Sequence, residues 1–551
     1  MNMGIISNQL AKKEDNPLAR QSKELIKKVY AQDDRPWVIG YSGGKDSTLT
    51  VQLIFEALLE MLPEQWHKKV YVISSDTMVE NPLVAAMING SLQRMQDTAL
   101  RTGLPLETQK VKPLTEKTFW SNIIGRGYPT PNQTFRWCTD RLKIDPADRF
   151  IKDKVNRFGE VIMVLGVRSK ESQSRGNSIK EHEIQGTELL KHTTLNNAFV
   201  FAPIKEFGLD DVWGYLLSNP SPWGEDNAKL QEMYLNSSGE CPLVVDQSIK
   251  ESAGSCGNSR FGCWVCPVVS EDKSLTGFIN SGEEWMTPLL KYRNRLVRVR
   301  DDRNLRMHRR MNGKFYLIGV EHYEKDGITY LSIKKKGGRS AKLYSIENVE
   351  LPEVETAEVV DEYNLNSYIV NNQIDLSRPE KHRDFFIRQV DREGNVSYSQ
   401  LGLGPFTLEA RQMLLKELLE VQRDLNAPTS HDIPLIQEEE LRMIRRMWLR
   451  EGDWNDSLPQ IYYEVYGTEL DWEHDDRPLM TADQMSDLEL LVQKHQLDLN
   501  TVKKLFHIGN EYVSLKVKRG FQKEVTSLLK QDYLQLYHEG EIENETKVID
   551  A

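Results

Sequence analysis

The chain has 551 residues, of which 39% are hydrophobic and 28% charged, with a net charge of −11 and five cysteines. That length exceeds what one compact core absorbs, so two or three domains are expected. No apolar run is long enough for a membrane span, and the acidic balance excludes a protein that coats nucleic acid with its whole surface, though not one with a local basic patch.

Residues 1–30 read as a polar tail leading into a helix, without the apolar stretch of a secretion signal, so a cytoplasmic location is expected. Trp37-Val38-Ile39 reads as a strand, and Thr48 to Leu62 as a helix with Leu49, Leu53, Phe55, Leu58, Leu59 and Leu62 on a broad apolar face. Between them lies Ser42-Gly43-Gly44-Lys45-Asp46-Ser47. The glycines let backbone N–H groups approach an anion, and the helix N-terminus adds favourable partial charge. Ser42 and Ser47 can donate to phosphate, Lys45 can neutralise it, and Asp46 can help hold Mg²⁺ or order the loop. The alternative is a ligand-free glycine turn, against which the six residues weigh together. The pattern is not the G-x-x-x-x-G-K-[ST] loop.

Four further stretches follow. An apolar strand ends in Ser74-Ser75-Asp76-Thr77, and Phe135 to Pro146 carries Arg136, Cys138, Arg141 and Lys143. A strand at Val161 to Leu165 leads into Gly166-Val167-Arg168, with Glu171 and Arg175 downstream and a capped helix within residues 201–217. In open α/β sheets such strand-end loops face the ligand crevice.

Ser-Gly-Gly-Lys-Asp-Ser resembles the PP-loop of ATP pyrophosphatases. The ordered set over residues 35–220 resembles the phosphoadenylylsulfate (PAPS) reductase family. The resemblance implies an α/β fold with a doubly wound, mostly parallel sheet of the adenine nucleotide α-hydrolase type, binding ATP and Mg²⁺ at strand C-termini. It implies Ser42, Gly43, Gly44, Lys45, Asp46 and Ser47 at phosphate, Asp76 near the nucleotide, and Gly166 and Arg168 closing over it. Arg136, Arg141, Lys143 and Arg175 would line the anionic substrate, and Cys138, Lys45 and Asp46 would carry the chemistry. Two departures argue against a sulfate reductase: no cysteine follows Cys266, and Cys138 is followed by Thr139 where cluster-bearing reductases pair two cysteines.

Cys241, Cys256, Cys263 and Cys266 follow the pattern Cys-x14-Cys-x6-Cys-x2-Cys. Four thiolates suit Zn²⁺ or a [4Fe–4S] cluster, with four reduced core cysteines as the bland alternative. Cys-Pro pairs at Cys241 and Cys266 and the lack of a nearby histidine favour iron–sulfur. Cys138 is then left over, and Arg136 and Arg141 are expected to lower its pKa so that it carries a persulfide. Alternatively Cys138 joins the metal set and Cys241 is spare.

This combination resembles the sulfurtransferases of bacterial DNA phosphorothioation. It implies adenylation of a backbone phosphate with pyrophosphate release, then sulfur insertion at a non-bridging oxygen of DNA. A cysteine desulfurase would supply the sulfur, within a complex of other phosphorothioation proteins. Thiolation of tRNA, PAPS-type reduction, and a nucleotide-gated DNA-binding scaffold without turnover are the alternatives.

Leu289 to Lys314 holds ten Lys or Arg against two Asp, and Lys334-Lys335-Lys336, Arg339 and Lys342 follow. This reads as a surface that tracks phosphates, or else as a solvated amphipathic helix. Glu347 to Glu362 is acidic and reads as a linker, and the rest as helices with apolar stripes. The expected division is a tail (1–30), a PP-loop domain (31–235), an embedded four-cysteine module with the basic region (236–345), a linker (346–365) and a mainly helical accessory domain (366–551).

Overall fold

The computed structural model describes residues 16–132, 135–171, 173–238, 262–269, 271–307, 310–311, 316–325, 328–334, 341–346, 353–356, 386–391, 393–426, 433–472, 478–495, 497–513 and 520–530. The chain divides into two compact units, one made of Met1–Phe119 and Pro131–Arg293, the other of Trp120–Thr130 and Asn294–Ala551.

The first unit begins with α1 (Pro17–Ala31), β1 (Trp37–Gly40), α2 (Lys45–Leu59), β2 (Val70–Ser75), α3 (Pro82–Thr102) and β3 (Leu106–Val111). After short helical turns at Trp137–Thr139 and Asp140–Ile144 come α4 (Asp145–Phe158), β4 (Val161–Val164), α5 (Gln173–His182), β5 (Leu189–Lys191) and β6 (Ala198–Phe201). Helices α6 (Leu209–Ser218), α7 (Asn227–Ser238), α8 (Lys273–Asn280) and α9 (Thr287–Val299) follow, and α9 continues into the second unit.

The six strands lie in the order β3-β2-β1-β4-β6-β5, all parallel except β5 against β6. Continuous apolar runs form the central strands because both faces are covered. Trp37, Ile39, Val70, Val72, Ile162 and Val164 pack on one face against α1, α2, α3 and α6. Val38, Tyr71, Ile73 and Val161 pack on the other against Phe150 and Ile151 of α4. This is the expected doubly wound sheet. Helix α2 is buried continuously from Ser47 to Leu58, which makes it the helix around which this face is built. The winding reverses between β1 and β4, and in such sheets the crevice outside that point takes ligands.

The second unit holds β7 (Leu317–Lys325), β8 (Ile328–Lys334), β9 (Ala341–Ile346), β10 (Glu353–Thr356), β11 (Phe386–Asp391) and β12 (Val396–Leu401). They form a sheet in the order β10-β11-β12-β7-β8-β9, antiparallel except for β10 with β11. Within residues 346–365, read as a linker, Glu353–Thr356 is therefore a paired strand. Helices α10 (Leu408–Asn426), α11 (Glu438–Glu451), α12 (Ser457–Tyr466), α13 (Ala482–Lys494), α14 (Leu499–Val513) and α15 (Phe521–Leu529) complete the helical part expected from the apolar stripes.

Trp120–Thr130, although early in the chain, is built into this second unit. Trp120 Nε1 donates to Leu435 O at 2.7 Å, Trp448 Nε1 to Ile124 O at 2.8 Å and Arg411 Nη1 to Gly125 O at 2.6 Å. Gly127 takes φ +73°, and a Cβ there would stand 2.6 Å from Phe406 O, so only glycine fits.

Three arginines of the basic stretch from Leu289 face inward and are not part of a phosphate-facing surface. Arg293, Arg303 and Arg306 are 0%, 5% and 4% exposed. Arg293 Nε donates to Cys266 O, Arg303 Nη1 to Gly402 O and Arg306 to Gly404 O, so their guanidinium groups cap carbonyls. Lys291, Arg298 and Arg310 remain exposed. Among the described residues, no helix is long and apolar enough to cross a membrane.

Candidate nucleotide and sulfur site

The loop between β1 and α2 is folded by its own side chains. Ser47 Oγ donates to Gly44 O at 2.9 Å and accepts from Ser42 N at 3.2 Å. Gly43 takes φ +72°, and a Cβ there would lie 2.6 Å from Ile88 Cγ1. Gly44 caps α2, whose first backbone bond runs from Thr48 N to Gly44 O at 2.9 Å. The amides of residues 45–47 therefore precede the intrahelical ladder, as they do in anion-binding helix starts.

The end of β4 closes on this loop. A Cβ on Gly166 would stand 2.7 Å from Asp46 O and 2.8 Å from Thr50 Oγ1, so the two backbones touch through a glycine. Arg168, 5% exposed, donates Nε to Asp46 Oδ1 at 2.6 Å, and Lys45 Nζ lies 3.5 Å from Asp46 Oδ2. Two cations and a helix start face one carboxylate, which leaves a positive balance for an anion. Tyr234 of α7 reaches the same place: its hydroxyl accepts from Lys45 N at 3.3 Å.

At the end of β2, Asp76 Oδ2 lies 2.7 Å from Lys110 Nζ and 3.7 Å from Lys112 Nζ. Burial alone would raise this carboxyl, but the Lys110 hydrogen bond and charge override it and hold it below the usual carboxylate range. Asp76 Oδ1 accepts from Met78 N at 3.0 Å, and Met78 takes φ +63°, a backbone conformation rare for a side chain of that size.

The cysteine segment docks on this loop. Trp264 N donates to Val79 O at 3.0 Å and Asn81 N to Gly262 O at 3.3 Å, an antiparallel bridge pairing Glu80 with Cys263. Thr77 Oγ1 lies 3.4 Å from Cys263 Sγ. Cys266 N closes the turn on Cys263 O at 3.0 Å, and Arg293 holds the Cys266 and Val269 carbonyls. Burial pushes the Cys263 thiol up to about 11 against a lowering by Lys143. Burial and the Cys266 charge also push the Cys138 thiol up. This corrects the lowering expected from Arg136 and Arg141: Arg136 is exposed to solvent, whereas the half-buried thiol faces Cys266. Burial, then the Asp76 charge, raises Glu80 to about 7.

Residues 36–267 match the phosphoadenosine phosphosulfate reductase domain family. That match covers the doubly wound sheet and the cysteine turn at Cys263 and Cys266. The chain is 24% identical over 294 residues to an uncharacterized protein of Methanocaldococcus jannaschii, a match covering 53% of this chain and 47% of that one. The chain thus spans about half the length of this relative. Among solved structures, a PAPS reductase of Candida auris in phosphate complex is 12% identical, covering 42% of this chain and 91% of that one at a TM-score of 0.24. An FMN adenylyltransferase of Candida glabrata is 15% identical, with coverage of 43% and 67% and a TM-score of 0.26. A U34-tRNA thiolase of Methanococcus maripaludis, solved with its [4Fe–4S] cluster, is 13% identical, with coverage of 40% and 73% and a TM-score of 0.25.

Within residues 36–267, Ser42 to Ser47, Gly166 and Arg168 come together around the start of α2. Asp76, Glu80, Lys143, Cys138, Cys263 and Cys266 gather around the loop after β2. Arg141 is half-buried, and Arg175 stands on α5 with its side chain outside the description. Cys241 and Cys256 lie outside the described residues, as do Lys335, Lys336 and Arg339. Among the described residues, no three His, Cys, Asp or Glu side chains form a metal-holding group. Sequence reasoning missed Tyr234, Glu80 and Lys110. No local pattern marks them, since each acquires its role from a contact between distant segments.

Proposed function

We propose that this protein is an ATP-dependent sulfurtransferase that inserts sulfur at a non-bridging oxygen of the DNA backbone, in the manner of DndC, which it resembles in the PP-loop, the lone Cys138 and the four later cysteines. The observation that carries the reading is the bridge of Val79–Asn81 to Gly262–Trp264. It sets sulfur-bearing residues on a loop leaving the same edge of the sheet as the nucleotide loop.

The phosphates of MgATP would sit on the amides and hydroxyls of Ser42 to Ser47, with Lys45 neutralising charge and Asp46 held in place by Arg168. A non-bridging oxygen of the DNA phosphate attacks the α-phosphorus of ATP, pyrophosphate leaves, and the oxygen is now part of an AMP leaving group. Cys138, loaded as a persulfide by a cysteine desulfurase, bonds its outer sulfur to the DNA phosphorus as AMP departs. Attack of a second thiol on Cys138 Sγ frees the phosphorothioate and leaves a disulfide, which a thiol reductant reopens. Lys143, with Arg136 and Arg141 in the same segment, would hold the DNA phosphate near Cys138.

Cys241, Cys256, Cys263 and Cys266 would hold a [4Fe–4S] cluster. The donor set suits it, and two of the four share the turn beside Thr77. When bound, such a cluster supplies a soft iron that accepts sulfur ligands. The closeness of Cys138 to Cys266 also favours a set in which Cys138 replaces Cys241. Iron, zinc and sulfide analysis of anaerobically purified single Cys→Ser variants separates the two sets, and zinc without sulfide replaces the cluster by a structural clip.

The deciding test incubates the protein with ATP, Mg²⁺, a cysteine desulfurase, cysteine and either plasmid DNA or tRNA. Phosphorothioate-linked dinucleotides in digested DNA, dependent on ATP and lost in Cys138→Ser, are expected. Thiolated nucleosides in tRNA, with unmodified DNA, would sink the DNA reading in favour of tRNA thiolation. ATP binding without turnover on either would leave the scaffold reading.

A further inference from the structure

We infer that the Tyr234 hydroxyl is a placeholder for a phosphate oxygen: it occupies the Lys45 amide when the loop is empty and is displaced when phosphate binds. The inference rests on the reading of Ser42 to Ser47 as a phosphate cradle.

Three contacts carry it. The Tyr234 hydroxyl accepts from Lys45 N, one of the amides at the start of α2. The same oxygen would be 3.2 Å from a Cβ on Gly44, so it lies against the loop backbone where an anion would approach. Lys45 Nζ stands 5.2 Å from the centre of the Tyr234 ring, so one side chain engages both ends of the loop lysine. The ring is set by a T-shaped contact with Trp213 of α6, with centroids 5.2 Å apart and planes at 87°.

The electrostatic surroundings agree. Burial pushes the phenol up to about 12, while Asp46, Arg168 and Glu171 all act on it. At neutral pH the group is therefore a neutral hydroxyl placed among the charged residues of the cradle. A phenol oxygen at 3.3 Å is a weak acceptor. A phosphate oxygen makes a shorter, charge-assisted bond of roughly twice the strength, so phosphate wins the exchange. The cost is the lost phenol bond and the lost hold on Lys45. In exchange, the empty loop keeps its amide satisfied and its shape intact.

Tyr234→Phe separates this role from packing, because it keeps the ring, the Trp213 contact and the cation–π contact while removing the oxygen. Calorimetric binding of inorganic pyrophosphate with Mg²⁺, of ATP and of adenosine is compared in wild type and variant. Thermal unfolding of the ligand-free proteins confirms that both are folded. The expected result is pyrophosphate and ATP binding tighter in the variant by about three- to ten-fold, the size of one net hydrogen bond, with adenosine unchanged. Equal pyrophosphate affinity overturns the inference. Weaker affinity overturns it too, and makes the hydroxyl a donor to phosphate. A matching gain for adenosine overturns it by showing an effect not tied to phosphate. Absence of pyrophosphate and ATP binding in wild type removes the cradle reading itself, and the inference with it.

Discussion

Arg168 donates its Nε to Asp46 Oδ1 across 2.6 Å, joining two residues 122 positions apart in the chain. The pair ties the loop after β4 to the first turn of α2. It also pairs Asp46, a carboxylate placed beside the amides that would receive phosphate, with a buried cation.

Removing the guanidinium leaves that carboxylate facing the cradle with Lys45 alone. Arg168→Ala is expected to weaken ATP and pyrophosphate binding by about 10- to 100-fold, in line with a charge-assisted hydrogen bond of ~1.5–3 kcal/mol. Arg168→Lys recovers little of it, because an ammonium lacks the planar fork that aims Nε at Oδ1. Isothermal calorimetry reads both variants, and full recovery in the lysine variant would show that charge alone suffices.

Gly166 is the other half of this junction. Its added Cβ would meet backbone, Asp46 O at 2.7 Å, which cannot swing aside as a side chain would. Gly166→Ala is expected to cost about 1–3 kcal/mol, the usual range for overpacking, and to lower nucleotide affinity together with stability. A urea midpoint unchanged from wild type would show that the loop after β4 gives way freely.

Glu80 predicts a pH signature. Its folded pKa of about 7 lies above the ordinary 4.5. Below about pH 4.5 the group is protonated folded or unfolded and contributes nothing to the difference. As pH rises from about 4.5 to 7 the unfolded chain ionises first and wild type loses stability; above 7 the loss is complete. Glu80→Gln should therefore be the more stable protein at pH 8, by at most about 3 kcal/mol, with the gap closing as pH falls through that window. Denaturant titrations of metal-free protein at pH 5, 6, 7 and 8 would show a constant gap if Glu80 titrates normally.

Arg293 holds the cysteine turn by its carbonyls. It is fully buried and donates to the carbonyls of Cys266 and Val269. Arg293→Met keeps much of the volume but removes the donor from both carbonyls, at about 0.5–1.5 kcal/mol for each hydrogen bond lost. The metal-free variant should label faster than wild type at Cys266 with a thiol reagent, read by peptide mass spectrometry. Unchanged labelling would show that the bridge to Val79–Asn81 fixes the turn unaided.

Much of the first unit was legible because its signals are local. Trp37-Val38-Ile39 and Val161 to Val164 are apolar runs of strand length, and Ser42 to Ser47 combines loop and helix start in one motif. What stayed hidden depends on chain segments meeting. Tyr234 sits in an ordinary helical stretch, and only folding brings it to Lys45. Cys138 was misread for the converse reason: Arg136 is two positions away in sequence, yet it points to solvent while burial and Cys266 govern the thiol. The arginines after Leu289 looked like a surface, but Arg293, Arg303 and Arg306 serve as internal carbonyl caps. Composition counts charges and cannot say which way they face.

The interlacing of the two units sets a schedule for biosynthesis. Trp120 emerges from the ribosome long before Leu435, its hydrogen-bond partner 315 residues later. At about 5–20 residues per second, that interval is roughly 15–60 s. During it the buried side chains Trp120, Ile123 and Ile124 have none of their helical partners available. The nascent chain must carry an apolar loop through most of its own synthesis. Chaperone dependence during translation, and failure of fragments cut between the units, are therefore written into the order in which the chain is made.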